Sequence, residues 1–260
     1  MNLPLCLLVA GLWQAPAASA PDGGVDASSQ SPADPEVPAP PPIEQALRQC
    51  REALRAGLFE RALSECNAAL RLDPNRVEAM LTKTRALLAL GDGRSALAPA
   101  RMATSLAPDS AEAFLLLGQA YLHDLNQDYP RAEEALRKAA ELDPVSRDVR
   151  LALAKALSFQ KRVEEAIAEL RLAHERHPDD TAVMVKLAES YYVLRKLDLA
   201  ERYIQEALEK NPADPDALRV QEQVRSRQSY NFWVILLAAI IIPSLWFGIR
   251  WLKRGRVVKE

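Results

Sequence analysis

The sequence predicts an all-α chain in which short helices stack as five repeats, and three observations carry that prediction. Prolines recur at Pro74, Pro108, Pro144, Pro178 and Pro212, at intervals of 34, 36, 34 and 34 residues. One alanine stands twelve residues before each proline (Ala62, Ala96, Ala132, Ala166, Ala200) and another five before it (Ala69, Ala103, Ala139, Ala173, Ala207). The composition agrees, with only nine glycines in 260 residues and 49% of them hydrophobic, which favours helices over strands. A fixed period of this length is the mark of a stacked array, because each unit buries its apolar face only against its neighbours.

Taken in order, the chain opens on a short apolar core, residues 3–13, followed by Ala18-Ser19-Ala20. The pattern predicts a signal segment, 1–20, with cleavage after Ala20. Its core is too short for a bilayer that needs about 20 residues, and no Lys or Arg precedes it. Residues 21–42 hold seven prolines and four acids with no basic residue, the composition of an extended, solvated spacer.

The array is expected over 43–229. Its first unit runs 43–76, and the others begin at Val77, Ala111, Arg147 and Thr181. Each unit holds two helical patterns, A and B. In the last one, Met184, Leu187, Ala188 and Tyr191 give the i, i+3, i+4, i+7 stripe of helix A. Ala200, Ile204, Ala207 and Leu208 continue it on helix B. The alanines mark where two antiparallel helices approach closely. The prolines stand where helix B must stop, since proline lacks the amide hydrogen and clashes with the preceding turn. Asn75, Asp109 and Asp214 are expected N-caps. Residues 216–227 read as one further helix, with Ala217, Leu218, Gln221 and Val224 inward.

The stretch Phe232–Ile249 has no charged residue, enough for about one bilayer crossing. A transmembrane helix is therefore expected over 230–250, with Tyr230, Phe232 and Trp233 at one interface and Trp246, Phe247 and Trp251 at the other. The tail, 251–260, adds Lys253, Arg254, Arg256 and Lys259 to Arg250, against Glu260 alone. A basic flank of this kind stays in the cytoplasm, which places the array outside, in agreement with the signal segment.

The repeat resembles the tetratricopeptide repeat (TPR) family. Unit three carries the pattern best, in Phe114, Leu117, Gly118, Tyr121, Ala132, Leu136, Ala139 and Pro144. Unit two departs from it at Lys83 and Thr84, and unit one at Gln49 and Cys50. The resemblance covers 43–212 and implies a TPR-type α-solenoid of five helix-turn-helix repeats plus a capping helix, ahead of the transmembrane helix. It also implies a concave surface lined by the A helices at their second, fifth, ninth, twelfth and thirteenth positions. Here the fifth-position column reads Leu47, Leu81, Leu115, Leu151 and Val185. Leu54, Leu88, Leu122, Phe159 and Tyr192 add apolar groups, and Arg51, Arg55, Arg85 and Lys155 add basic ones. Such a groove suits a peptide with apolar anchors and some acidic character. The lysine and asparagine by which some relatives clamp a chaperone's C-terminus are replaced by Leu47 and Arg51. The second-position acids Glu44, Glu78, Glu112 and Asp148 suit the helix dipole.

Other chemistry finds no support in the sequence. The array region balances 28 basic against 30 acidic residues, so there is no basic footprint for nucleic acid. His174 and His177 share a helix end without further ligands around them, and no catalytic or cofactor-binding motif occurs. Cys50 and Cys66 occupy the eighth and twenty-fourth positions of unit one. Export permits a disulfide there, but an antiparallel register that opposes the eighth position to the twentieth favours two buried thiols. The function expected is a membrane-tethered, non-enzymatic scaffold that binds proteins or peptide segments in the periplasm of a bacterium. The alternatives are a tail-anchored cytosolic adaptor and a regulatory subunit of an envelope enzyme complex.

Overall fold

The computed structural model describes residues 42–123 and 127–256, with side chains in 231–256 only at Leu237, Ala239, Ile241, Ile242, Pro243 and Trp246. The expected signal segment, nearly all of the spacer and the end of the basic tail lie outside the described residues. Five helical hairpins follow one another. They are α1 (Pro42–Arg55) with α2 (Phe59–Leu72), α3 (Val77–Ala89) with α4 (Gly93–Leu106), and α5 (Ala111–Leu122) with α6 (Tyr129–Leu142). Then come α7 (Arg147–Phe159) with α8 (Val163–Arg176) and α9 (Thr181–Val193) with α10 (Leu197–Lys210). Helix α11 (Pro215–Arg256) ends the described chain. The A helices α3, α5, α7 and α9 begin where the proline phase starts each unit. Each A helix packs on its own B helix, on the preceding B helix and on the next A helix.

The ten column alanines sit at these crossings, and none is more than 2% exposed. Opposite them, the eighth and twenty-fourth positions face each other within every hairpin, and each unit solves that contact differently. In unit three the eighth position is Gly118, and a Cβ there would collide with the buried Leu136. Unit four sets Ala154 against Leu170 and unit five sets Ala188 against Ile204, all buried. In unit two Thr84 is buried, and its hydroxyl donates to the Met80 carbonyl at 2.8 Å, which returns the polar group to its own helix. Unit one joins Cys50 to Cys66 by a disulfide, with 5.2 Å between the α-carbons. The expectation of two buried thiols is therefore overturned: the eighth position faces the twenty-fourth, and the pair lies well inside the bridging distance. Closing a loop of this length contributes about 3 kcal/mol by the chain-entropy account.

One continuous core runs from Ala100 to Val224, whereas units one and two hold smaller apolar clusters around Leu47, Ala62, Met80 and Ala96. Alanine, threonine and the bridge occupy the seams of the first two units, so less apolar volume is available there. At the capping end, Ala217, Val220 and Val224 are buried and Leu218 is 45% exposed. The inward stripe of α11 thus runs through Val220 rather than the expected Leu218, because i, i+3, i+7 faces α9 and α10. N-capping also shifts by one residue at two sites. Ser110, not Asp109, caps α5 by accepting from the Ala113 amide at 3.2 Å. Arg76, not Asn75, precedes α3. Asp214 acts as expected, accepting from the amides of Asp216 and Ala217.

Helix α11 continues without a break from the cap through Phe232–Ile249 and past Pro243. Among the described residues no helix is long and apolar enough to cross a membrane. Most side chains of the expected crossing lie outside those residues.

The A-to-B turns share one backbone device. Gly57, Gly91, Lys161 and Arg195, all at the fifteenth position, have φ of 72°, 79°, 65° and 61°. The next amide bonds five residues back in each case: Leu58 to Ala53, Asp92 to Leu87, Arg162 to Leu157 and Lys196 to Tyr191. This left-handed residue closing a helix with a 6→1 bond is what glycine does without strain. Units four and five use a lysine and an arginine instead. Lys161→Gly is expected to stabilise the fold by about 0.5–1 kcal/mol, read as a higher midpoint in urea unfolding at unchanged m-value.

Candidate interaction groove

The expected groove residues differ in exposure, and three of them are buried. Leu47, Leu122 and Val185 are at most 4% exposed and belong to the core. Leu47 packs with Ala46, Ala69 and Ala79, and Leu122 and Val185 lie in the main cluster. These positions fall on the side of helix A that meets the neighbouring helices. Leu81, Leu115, Leu151 and Tyr192 are half-buried, and Phe159 and Arg55 are exposed. Tyr192 is partly covered by α11: the Arg227 guanidinium lies over its ring at 5.3 Å and donates to its hydroxyl at 3.3 Å.

Two of the four groove cations, Arg51 and Arg85, are neutralised. Arg51, at the ninth position of unit one, pairs with Glu78, at the second position of unit two, at 3.0 Å. Arg85 pairs in the same way with Glu112 at 2.6 Å, and Glu44 meets Arg76 at 3.0 Å. The second-position acids therefore link successive helices as well as suiting the helix dipole. All these groups are substantially exposed, so each pair is worth a few tenths of a kcal/mol to about 1. Their larger effect is on the field of the surface. Lys155 differs from Arg51 and Arg85. Ala182 stands where its acid would be, it forms no ion pair among the described residues, and its ammonium lies 5.8 Å from the centroid of the Phe159 ring.

Phe159 stacks on Tyr129 with ring centroids 4.9 Å apart and planes inclined at 18°. The sequence reading named Phe159 but missed Tyr129, which opens α6 after the lengthened loop of unit three. A polar clamp beneath fixes the pair. Gln160 donates to the Glu133 carboxylate at 2.8 Å and to the Tyr129 carbonyl at 3.4 Å. Arg162 donates to Glu133 at 2.6 Å, and Arg137 at 2.9 Å. Burial pushes the Glu133 carboxyl up, but the hydrogen bonds from Gln160, Arg162 and Arg137 outweigh it and hold the group below its ordinary value. No single-sequence signal marks Glu133, since the clamp joins α6 to the turn between α7 and α8.

A second concavity was also missed. It is a cleft of about 700 Å³ over α5 and α6, with Phe114, Leu117, Tyr121 and Ala135 at its floor and Arg131, Glu134, Lys138 and Glu141 among its walls. Its cations are already satisfied: Arg131 pairs with Asp128 and Lys138 with Glu141. The two histidines are built into the fold. His174 meets the Tyr203 ring edge to face at 5.8 Å, and His177 Nε2 lies 3.1 Å from the Val145 carbonyl. Among the described residues, no group of three or more His, Cys, Asp or Glu side chains is placed to hold a metal.

Comparison with known proteins agrees with this architecture. Residues 125–173 and 160–224 match the tetratricopeptide repeat family model. The array has the fold of TPR solenoids. TTC0263, a thermophilic TPR protein of Thermus thermophilus, is 23% identical, with a TM-score of 0.58 over 71% of this chain and 97% of its own. MamA of Desulfovibrio magneticus RS-1 (residues 41 to the end) is 19% identical, with a TM-score of 0.59 over 68% of this chain and 98% of its own. YrrB, described as a TPR protein with an unusual peptide-binding site, is 18% identical, with a TM-score of 0.55 over 68% of this chain and 90% of its own. These likenesses establish the fold. No curated protein sequence matches the chain.

The clamp gives a pH-dependent prediction. Glu133 titrates lower when folded than its ordinary 4.5. Its contribution is therefore present above pH 4.5 and lost as the pH falls through the lower folded value. Glu133→Gln is expected to cost about 1–2 kcal/mol near neutrality. Urea unfolding of both proteins across the acid range should show that difference shrinking below pH 4.5.

Proposed function

We propose that the chain is a non-enzymatic scaffold that holds peptide segments of partner proteins in the groove formed by its A helices. The observation that carries this reading is the row of half-buried leucines, Leu81, Leu115 and Leu151, at the fifth position of three successive A helices. A regular apolar row edged by charge offers many weak, similar contacts to an extended or helical segment. The TPR architecture supports it, and YrrB is a structural neighbour described by its peptide-binding site.

In the same proposal the array works on the outer side of a membrane, tethered by residues 232–249, with the basic tail in the cytoplasm. Three features support this placement. The stretch carries no charge across a bilayer's length. The cations that follow obey the positive-inside tendency. The Cys50–Cys66 disulfide is a bond that persists in oxidising compartments and is rare in the cytosol. It favours export over the cytosolic adaptor reading, and the composition and the Ala-x-Ala site point to a bacterial periplasm.

Two measurements test the proposal. A reporter active only in the cytoplasm, fused after Glu260, is expected to be active; activity only from a reporter that works outside would reverse the topology. A photoactivatable side chain placed at Leu81 or Leu151 should capture a partner in membranes. Capture from the cleft over α5 and α6, at Glu134, with none from the groove, would refute the groove as the binding surface.

A further inference from the structure

The groove is not uniform along its length, and its one irregularity has a definite chemistry. At the first two junctions a ninth-position arginine is neutralised by the second-position glutamate of the next unit. At the third junction Gln119 stands where the cation would be, and Asp148 pairs with its neighbour Arg147 at 2.9 Å. In unit five the ninth position is Glu189, held by Lys186 at 2.6 Å and Arg219 at 2.7 Å. Lys155 alone of the ninth-position cations faces no carboxylate among the described residues. It is exposed, and its ammonium is poised over an aromatic ring that is itself 44% exposed.

Phe159 is not a loose surface ring. It stacks on Tyr129, and the next residue, Gln160, is tied to Tyr129 and Glu133. The ring stack and the tie to the Tyr129 backbone order the pair in part before anything binds, which lowers the ordering cost of using it. A flat apolar platform beside an uncompensated ammonium is a two-part feature. The cation draws a carboxylate, and the exposed ring face offers area to a planar side chain or a proline ring.

We propose that Lys155, Phe159 and Tyr129 form the specificity subsite of the groove, and that its occupant is an acidic segment of a partner protein. A glutamate or aspartate carboxylate of that segment pairs with Lys155, and an adjacent aromatic or proline ring lies on Phe159. This rests on the groove reading above and adds where along the groove the sequence of the partner is read. Arg51 and Arg85 attract less strongly, because Glu78 and Glu112 already compensate them, whereas Lys155 joins its charge to an aromatic ring on α7.

The test uses the full chain, embedded in lipid nanodiscs, panned against a displayed library of random dodecapeptides. The enriched peptides, made synthetically and labelled, are then titrated against the parent protein and its variants, each checked by circular dichroism for an unchanged fold. Peptides with an acid beside an aromatic residue or proline are expected to dominate. Lys155→Glu and Phe159→Ala should each weaken them about tenfold or more, and Lys155→Arg should retain most of the affinity. Raising salt should weaken binding to the parent and leave Lys155→Glu nearly unaffected. Peptides lost in Leu151→Glu but indifferent to Lys155→Glu and Phe159→Ala would overturn the subsite and leave the groove reading standing. An enriched set without acids would also overturn the subsite, and peptides indifferent to Leu151→Glu as well as to Lys155→Glu and Phe159→Ala would count against the groove itself.

Discussion

Everything in this chain depends on how closely two antiparallel helices can approach. A helix with side chains sits about 8–10 Å from its neighbour, and the repeat reaches its packing by placing alanine at the crossing points. All ten column alanines are buried to 2% exposure or less. That approach brings the eighth and twenty-fourth positions face to face, where a small partner or a covalent bridge keeps the helices close: glycine with leucine, alanine with leucine or isoleucine, threonine with alanine, and in unit one two sulfurs. The disulfide is then one more solution to a spacing constraint that every hairpin meets. Among the described residues it falls in the unit that packs on a following unit only.

The turns show the same economy of means. One left-handed residue closes each described helix A of units one, two, four and five, and the 6→1 hydrogen bond of each turn follows. Because the hairpins close alike, the A helices arrive in parallel register, and positions nine and two of adjacent units become neighbours. The ladder of Arg51–Glu78 and Arg85–Glu112 pairs is a geometric product of that register. It stops at the third junction, where Gln119 replaces the cation, and Lys155 at the fourth lacks an acidic partner among the described residues because of a single residue, Ala182, that holds no acid.

Repetition explains what the sequence could reveal. The helix starts at Val77, Ala111, Arg147 and Thr181 were legible because five copies of one spacing average out local noise. The same averaging hides what is particular to one unit. Leu47, Leu122 and Val185, read as groove residues, are buried, and the repeat could not reveal it: at the same fifth position Leu47 and Val185 are in the core while Leu81, Leu115 and Leu151 are half-buried. The disulfide was misjudged although Gly118 opposite Leu136 and Ala154 opposite Leu170 already encoded the register, as small residues matched to large ones farther along the same hairpin. Tyr129 and Glu133 were beyond reach, because the clamp joins side chains 27 to 31 residues apart and involves no repeated position.

Helix α11 gives the molecule a mechanical character. Its 42 residues span about 63 Å at 1.5 Å per residue, and one unbroken hydrogen-bonded rod passes from the seam with α9 and α10 into the apolar stretch. About 12 Å of helix separates Val224, the last buried residue of the seam, from Phe232. No slack segment intervenes to absorb rotation or tilt. Whatever holds the far end of the rod also sets the direction in which the groove faces. A load on a captured segment passes first through the seam of Ala217, Val220 and Val224, so that small apolar contact is the joint at which the assembly would give way.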